Sequence, residues 1–339
     1  MKILVASSYL PPVPGGAEKV AWETSVRLAG DSDVHILTTG PKIETRFIHG
    51  LSVHSVWDTR FKPLFYSSIG RVFIDRLVDL ATFDIIQSHM ALPWGYVFRG
   101  SERLVITCHG SDVYLKKRIS DKLSKSALSK AKSVTSPSSW LTKFIMKKYA
   151  VDCITIPNGV DTNRFRPKKD GVDREKVILF VGRLIERKGV LELLQAARVL
   201  ENYEFWFVGE GPLKGAINLK NTRHFGFVDD VVDIYNRAKL CVFPSHWEPF
   251  GIVGLEAMAC GKTVIATELG FSDYIDSWKD GVIVNSRDVK ALVEAIQRLM
   301  EDENERSRIE ANARAKALRY DWDVVTSRYK ELYRSLIET

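Results

Sequence analysis

Residues 239–270 read KLCVFPSHWEPFGIVGLEAMACGKTVIATELG. An apolar run at 240–243 gives way to a polar, proline-marked turn at 244–249. Gly251 then opens an apolar-periodic stretch, and a second apolar run follows at 263–267. That order predicts strand, loop, helix, strand. In such a unit, ligands sit on the loop at the carboxyl end of the first strand, and the helix behind it presents free backbone N–H groups with a positive partial charge. Glu248 lies on the loop and Glu256 about one turn inside the helix, an eight-residue spacing. Two surface acids favoured by the helix dipole would also satisfy that spacing. Glu256, however, is the one charge in residues 251–260. A carboxylate in such surroundings must find hydrogen-bond donors, since burying it unpaired costs on the order of several kcal/mol. A polyol such as ribose or a hexose supplies paired hydroxyl donors.

The string Glu248-Pro249-Phe250-Gly251-Ile252-Val253-Gly254-Leu255-Glu256 resembles the Glu-x7-Glu signature of retaining glycosyltransferases of the family 4 type, which have the two-domain GT-B fold. The resemblance implies that Glu248 contacts the donor sugar and Glu256 the nucleotide ribose. It also implies that backbone amides of Phe250, Gly251, Ile252 and Val253 meet sugar and phosphate oxygens.

A chain of 339 residues is long for one core and comfortable for two domains. With 45% apolar and 27% charged residues it has the composition of a soluble globular protein, and no stretch approaches the ~18 consecutive apolar residues that span a bilayer. The amino terminus carries one Lys and a four-residue apolar run shortly before YLPPVPGG, too short for a signal peptide, so a cytoplasmic protein is expected. Cys108, Cys153, Cys241 and Cys260 each stand singly in or beside an apolar run. This spacing points to reduced core residues and indicates neither a metal site nor a disulfide framework.

The segment KILVAS at the start reads as a buried strand, and a helix over 17–28 follows a loop ending in Gly15-Gly16. Glycine there lets a ligand approach the backbone, though a purely structural turn would use the same pair. No G-x-G-x-x-G is present, which counts against a dinucleotide dehydrogenase. Gly15-Gly16-Ala17-Glu18 is similar to the glycine loop that family members place against donor and acceptor, with Gly16 a donor-binding candidate. Strands are expected at 34–38, 51–56, 83–88 and 103–108 and a helix across 64–81. The last of these strands places His109 at the functional edge of the sheet. The family has a His-Gly pair at the matching place, where its histidine meets the donor sugar near the reacting carbon. Asp112, three residues past a strand, equally suits a helix cap.

Residues 115–148 hold ten Lys or Arg against one acid, Asp121. Leu115, Ile119, Leu123 and Ala127 recur every fourth residue, and Trp140, Leu141, Phe144 and Ile145 form a second stripe, so both pieces read as amphipathic helices with basic outer faces. Such a face is either simply solvated or attracted to an anionic membrane or polyanionic acceptor. No nucleic-acid recognition motif accompanies the charge. Residues 1–158 carry 21 Lys or Arg and 13 Asp or Glu, a balance of +8, which accounts for the whole chain's +7.

A strand at 151–157, the turn cluster Pro157-Asn158-Gly159-Val160-Asp161 and a charged stretch at 163–176 read as an interdomain linker, and the cluster resembles the hinge of this family. From Lys176 the α/β pattern restarts, with a strand to Val181, a helix over about 188–200 and a strand at 203–208. Its first loop carries Arg183, Arg187 and Lys188 just before a helix start, a suitable place for a diphosphate. The string is close to the family's Gly-Arg-Leu…Lys-Gly motif, in which Arg183 and Lys188 would hold the pyrophosphate; Arg187 has no role by that match. Gly209-Glu210-Gly211-Pro212 resembles the family's donor-cleft loop, which makes Glu210 a donor-binding candidate. Val228 stands where the family's backbone holds the base. The region 287–339 is helical by period, and the stripe from Tyr320 onward suits the last GT-B helix, which crosses back to the amino-terminal domain.

The expectation is therefore an α/β protein of the GT-B fold: two Rossmann-like domains facing across a cleft, an acceptor domain at 1–158, a nucleotide-sugar donor domain at 159–319 and a returning helix at 320–339. The implied activity is retaining transfer of a sugar from a nucleotide-sugar donor to an acceptor hydroxyl, with His109 and Glu248 at the reacting sugar. Arg183 and Lys188 would offset the leaving diphosphate's charge, so no cofactor and no metal is expected. A GT-B nucleotide-sugar epimerase and a non-catalytic nucleotide-sugar binder are the alternatives. The acceptor is expected to be lipid-linked or otherwise anionic, with the 115–148 face against the inner surface of a membrane, or else a plain soluble molecule.

Overall fold

The computed structural model describes residues 1–13, 15–57, 69–114, 118–168 and 176–338. The chain divides into two compact units: unit 1, Met1–Asn158 with Trp322–Thr339, and unit 2, Gly159–Asp321.

Unit 1 contains strands β1 (Lys2–Ala6), β2 (Asp33–Gly40), β3 (Glu44–Ile48), β4 (Leu51–Trp57), β5 (Ile85–His89), β6 (Leu104–Thr107), β7 (Ser133–Ser136) and β8 (Ile154–Thr155). They lie in the order β3-β4-β2-β1-β5-β6-β7-β8, parallel except where β3 meets β4. Unit 2 contains β9 (Val177–Val181), β10 (Glu204–Val208), β11 (Thr222–His224), β12 (Leu240–Phe243), β13 (Thr263–Thr267) and β14 (Val282–Val284), in the all-parallel order β11-β10-β9-β12-β13-β14. In each sheet the chain winds outward one way and then the other. The resulting switch points, β1/β5 in unit 1 and β9/β12 in unit 2, are where the crevice of a doubly wound sheet binds ligands.

Helices α1 (Gly16–Leu28), α2 (Ile69–Leu77), α3 (Arg118–Leu128) and α4 (Ser139–Tyr149) belong to unit 1. Unit 2 has α5 (Val190–Val199), α6 (Val232–Arg237), α7 (Ile252–Ala259), α8 (Val289–Glu301) and α9 (Glu303–Ala317), and α10 (Trp322–Glu338) belongs to unit 1 again. Strands covered on both faces need continuous apolar runs. Val177, Ile178, Leu179 and Phe180 of β9 accordingly lie in the unit 2 core with Phe207, Phe243, Leu255 and Ile265. The core of unit 1 gathers Leu4, Ile86, Trp94, Ile106, Leu141 and Ile145.

The apolar stripe of α10 is buried in unit 1 at Trp322, Val325, Tyr329 and Tyr333. Tyr333 donates to Gln87 Oε1 at 2.9 Å, Arg27 meets Asp323 at 2.8 Å and Lys330 meets Asp31 at 2.8 Å. The boundary before this helix falls between 321 and 322, two residues later than position 320 suggested. Tyr320 and Asp321 are held in unit 2, where Val160 N donates to the Tyr320 carbonyl at 2.9 Å and Thr162 N to Asp321 Oδ2 at 3.1 Å. Two further expectations are corrected. The helix expected at 64–81 is Ile69–Leu77 followed by a turn at Leu80–Thr82, with 58–68 outside the described residues, and the strand expected at 151–157 is reduced to β8. Residues 169–175 of the linker also lie outside the described residues.

Three strands of unit 1 meet at a histidine pair. His35 Nδ1 and His54 Nε2 are 2.8 Å apart in stacked rings, and Thr45 Oγ1 lies 2.8 Å from His54 Nδ1. Burial lowers the pKa of both imidazoles, that of His54 to about 4. A folded-state value below the ordinary 6.5 means that the unfolded chain binds the proton first. The stabilisation is therefore complete above about pH 6.5 and lost as pH falls toward about 4. The urea midpoint of unit 1, followed by tryptophan fluorescence, is expected to drop over this range; a flat midpoint contradicts it.

Candidate active site

Loops 182–189 and 244–251 leave adjacent strands at the switch point of unit 2 and touch backbone to backbone. Gly189 sits at φ +73°, and a Cβ there would fall on the Pro244 carbonyl, so only glycine permits the approach. Arg187 clamps the contact. Its guanidinium donates to the Trp247 carbonyl at 3.1 Å and lies 4.3 Å from the Trp247 ring centre, while His246 N donates to the Arg187 carbonyl at 2.8 Å. Burial lowers the Arg187 pKa, and Glu248 opposes that shift. Arg187, left without a role by its sequence motif, thus holds the two loops together.

The contact brings Lys188 and Glu248 into an ion pair whose side chains are only 15% and 12% exposed. Arg183, at the start of the same loop, is exposed. Gly251 adopts φ +84°, and a Cβ on it would enter the Phe271 ring, which packs beneath the turn. Its carbonyl accepts from Tyr274 Oη at 2.6 Å. From this anchored turn α7 starts at Ile252 with no side chain capping its first amides. Phe250 is buried and Ile252 and Val253 are half-buried. One turn on, Glu256 is 6% exposed and accepts from Tyr235 Oη at 3.2 Å. Burial and then the Glu256 charge push the Tyr235 pKa well above its ordinary value, so the phenol remains a donor.

Glu210 and Val228 lie on the neighbouring loops. Leu184 N donates to the Glu210 carbonyl at 2.9 Å, and Gly209 N donates to the Gly226 carbonyl at 2.7 Å, which joins loops 182–189, 209–212 and 225–228 in series. The Glu210 carboxylate is exposed and meets Lys214 at 3.4 Å, and Val228 packs half-buried against the unit 2 core.

In unit 1, His109 follows β6. His89, which ends β5, was missed because the expected strand stopped at residue 88. His89 Nδ1 lies 3.0 Å from His109 Nε2, with the rings 5.2 Å apart and 20° from parallel. Asp112 bonds to backbone on both sides of the histidine pair. Its buried carboxylate accepts from His109 N and from Ala91 N, both at 3.0 Å, and so joins the loops after β6 and β5. Burial pushes the His109 pKa down to about 4 against the opposing pull of Asp112, and burial together with His109 holds His89 well below 6.5. Both rings are therefore neutral near pH 7. Gly16 opens α1, exposed, with empty space where a Cβ would stand.

On α3, α4 and the segment between them, Lys122, Lys125, Lys130, Lys132, Lys143 and Lys147 are exposed, whereas Lys148 folds back on Asp121 at 2.8 Å. Exposed Ile119 and Met146 and a cluster of Tyr114, Trp140 and Phe144 accompany them. Lys116 and Lys117 lie outside the described residues. Among the described residues, no helix is long and apolar enough to cross a membrane, and no group of three or more His, Cys, Asp or Glu could hold a metal ion.

Two family models match: "Glycosyl transferases group 1" over residues 161–316 and "Glycosyltransferase Family 4" over 14–164. An uncharacterized glycosyltransferase of Methanocaldococcus jannaschii is 26% identical over 99% of both chains. An N,N'-diacetylbacillosaminyl-diphospho-undecaprenol alpha-1,3-N-acetylgalactosaminyltransferase of Campylobacter jejuni is 29% identical over 55% of both. Among solved structures, Anabaena HepE in complex with UDP and glucose aligns at TM-score 0.81 with 19% identity, covering 99% of this chain and 100% of that one. The fold is GT-B. The chain belongs to the glycosyltransferases of the family 4 type and is a glycosyltransferase.

Gly189→Ala tests how the loops are held. Strain at positive φ and the clash with Pro244 together are expected to cost roughly 2–4 kcal/mol, read as a lower denaturation midpoint of unit 2. An unchanged midpoint would show that the loops do not depend on this contact.

Proposed function

We propose that the protein is a retaining transferase that moves a sugar from a nucleotide-sugar donor to an acceptor hydroxyl. The observation that carries this reading is the Lys188–Glu248 ion pair beside the uncapped start of α7. A nucleoside diphosphate sugar offers groups that suit each: phosphate oxygens for Lys188, Arg183 and the amides of Gly251, Ile252 and Val253, and hydroxyl donors for Glu248. Glu256, bonded to the neutral Tyr235 phenol, takes the ribose hydroxyls, and Val228 and Glu210 line the base side. His109, neutral, accepts from the sugar, and Gly16 admits phosphate or sugar to the α1 amides. HepE's complex with UDP and glucose supports a uridine nucleotide as the first donor to try.

In the transfer, the bond from the anomeric carbon to the diphosphate oxygen breaks and the bond to the acceptor oxygen forms on the same face. The acceptor's hydroxyl proton passes to the departing diphosphate. Charge grows on that leaving group, so cations placed there act mainly in the transition state. Arg183→Ala or Lys188→Ala is expected to lower kcat by about 100-fold, and Glu256→Gln to weaken nucleoside diphosphate binding by about tenfold, equivalent to ~1.4 kcal/mol. The two cations fill the role a metal would otherwise have, so transfer by the wild type is expected to persist in EDTA. Unchanged kinetics in all three variants, or complete and metal-reversible loss in EDTA, would remove this assignment.

The acceptor is proposed to be lipid-linked, with the protein held peripherally on an anionic membrane by α3 and α4. Support comes from their exposed lysines interleaved with apolar groups, and from the diphospho-undecaprenol acceptor in the Campylobacter relative's name. At roughly 1 kcal/mol per cation near the surface, five lysines suffice for reversible adsorption. Sedimentation is expected with anionic vesicles at low salt, with release at high salt and none with neutral vesicles. Equal binding to both vesicle types, or none to either, would leave a soluble acceptor.

A further inference from the structure

The reading above uses His109 alone, yet its ring is bonded to a second buried imidazole. We propose that His89 is a positioning residue for His109: His89 Nδ1 accepts the Nε2–H of His109, which fixes His109 as the Nε2–H tautomer and leaves its Nδ1 lone pair for a hydroxyl of the donor sugar. This inference rests on the proposed role of His109 at the sugar.

The two nitrogens stand 3.0 Å apart, so one must carry the hydrogen and the other must not. Both rings are neutral near pH 7, which leaves two arrangements. If His109 donates, both imidazoles are in the Nε2–H form, the intrinsically commoner neutral tautomer. If His89 donates, both must adopt the rarer Nδ1–H form. The first arrangement therefore prevails unless another group opposes it. Asp112, the carboxylate nearest the ring, does not: its Oδ1 accepts from the His109 backbone N and its Oδ2 from Ala91 N. In many hydrolytic sites a carboxylate orients the histidine ring; here the carboxylate orients the loop and a second imidazole orients the ring. His89 is suited to this task because its own position is fixed. It ends β5, pairs in register with Thr107 of β6, and is 2% exposed, and the next residue's amide donates to the Thr107 carbonyl at 2.8 Å.

A neutral acceptor differs from a cation in what it does to the reaction. Positive charge develops on the sugar as the diphosphate leaves, and an imidazolium beside it would oppose that charge, whereas an oriented lone pair binds a hydroxyl without repulsion. The proposed pair supplies that orientation before the donor arrives.

The test has two parts on the full chain. In ¹⁵N spectra of the histidine side chains of the wild type, His109 is expected to show a protonated Nε2 and an unprotonated Nδ1 near neutral pH. The reverse pattern, or a mixture, overturns the proposal whatever the enzyme does. In kinetics, His89→Leu is expected to lower kcat/KM for the donor about tenfold or more with nucleoside diphosphate affinity unchanged. His89→Asn, whose amide oxygen can accept near the position of Nδ1, is expected to restore most of the loss. Equal loss in both variants, or none in either while His109→Gln is impaired, overturns the positioning role. If His109→Gln is itself fully active, the functional reading of His109 falls, and the spectrum still decides whether the bond to His89 is made as proposed.

Discussion

Residue 189 has no side chain, and Pro244 occupies the place where one would begin. Parallel strands run about 4.8 Å apart, so loops leaving β9 and β12 are neighbours in any case. The missing Cβ lets them close until the Lys188 ammonium reaches the Glu248 carboxylate. Taking both ions largely out of water costs several kcal/mol per charge as an order of magnitude, offset by their mutual attraction. Such a pair contributes little net stability. A diphosphate brings more negative charge to the ammonium than one carboxylate does, and sugar hydroxyls can replace the ammonium at Glu248. The interaction that offsets the burial of each charge thus also fixes both groups side by side at the carboxyl ends of β9 and β12.

Glu256 meets the same burial problem with a different partner. One of its partners is a neutral phenol, Tyr235 Oη, at 3.2 Å. An ammonium at that position would add a charge to the contact, whereas the phenol fixes one carboxylate oxygen through a neutral donor. The two glutamates of one motif are therefore held differently by residues outside it: Lys188 sixty positions earlier and Tyr235 twenty-one positions earlier.

This distribution explains what was legible in the sequence. Loop and helix of 244–259, the restart of the α/β pattern at 176 and the placement of His109 after a strand are local features, and short-range periodicity and turn residues report them. The GT-B assignment came from the resemblance of residues 248–256, and the short strands β7, β11 and β14 were not expected; the α/β alternation of both units was legible for the same reason, because most parallel strands are contiguous apolar runs. Strand β3 was not, since ETRFI is a charged edge strand with Phe47 exposed, and edges carry such residues in place of an apolar alternation. Tyr235, His89 and the clamp of Arg187 on Trp247 escaped because each acts through a partner 20 to 60 residues away. Nothing in its own neighbourhood marks a tyrosine in a six-residue helix as the donor to a buried carboxylate. His89 had one local signal, its place at a strand end beside the switch strand, and the strand was ended one residue too early to use it.

The same long-range logic extends from the candidate site to the place where the chain leaves unit 2. Gly251, whose carbonyl is bound by Tyr274, sits on an aromatic group in which Phe250, Tyr274 and Tyr320 have ring centres 5.1 to 6.3 Å apart. Tyr320 is the last residue but one before the chain crosses to unit 1, and its carbonyl is bonded to Val160 at the other crossing. Arg314 completes the connection, donating to the Ala259 carbonyl at the end of α7 at 2.7 Å and to the Thr162 carbonyl at 3.2 Å. Both ends of the helix that bears Glu256 are therefore tied, by side chains of unit 2, to the two strands of chain that enter and leave it. Interiors packed at this density do not deform smoothly. A shift of the 248–251 turn must therefore be absorbed by the tyrosines or passed to residues 160–162 and 320–321 of unit 2.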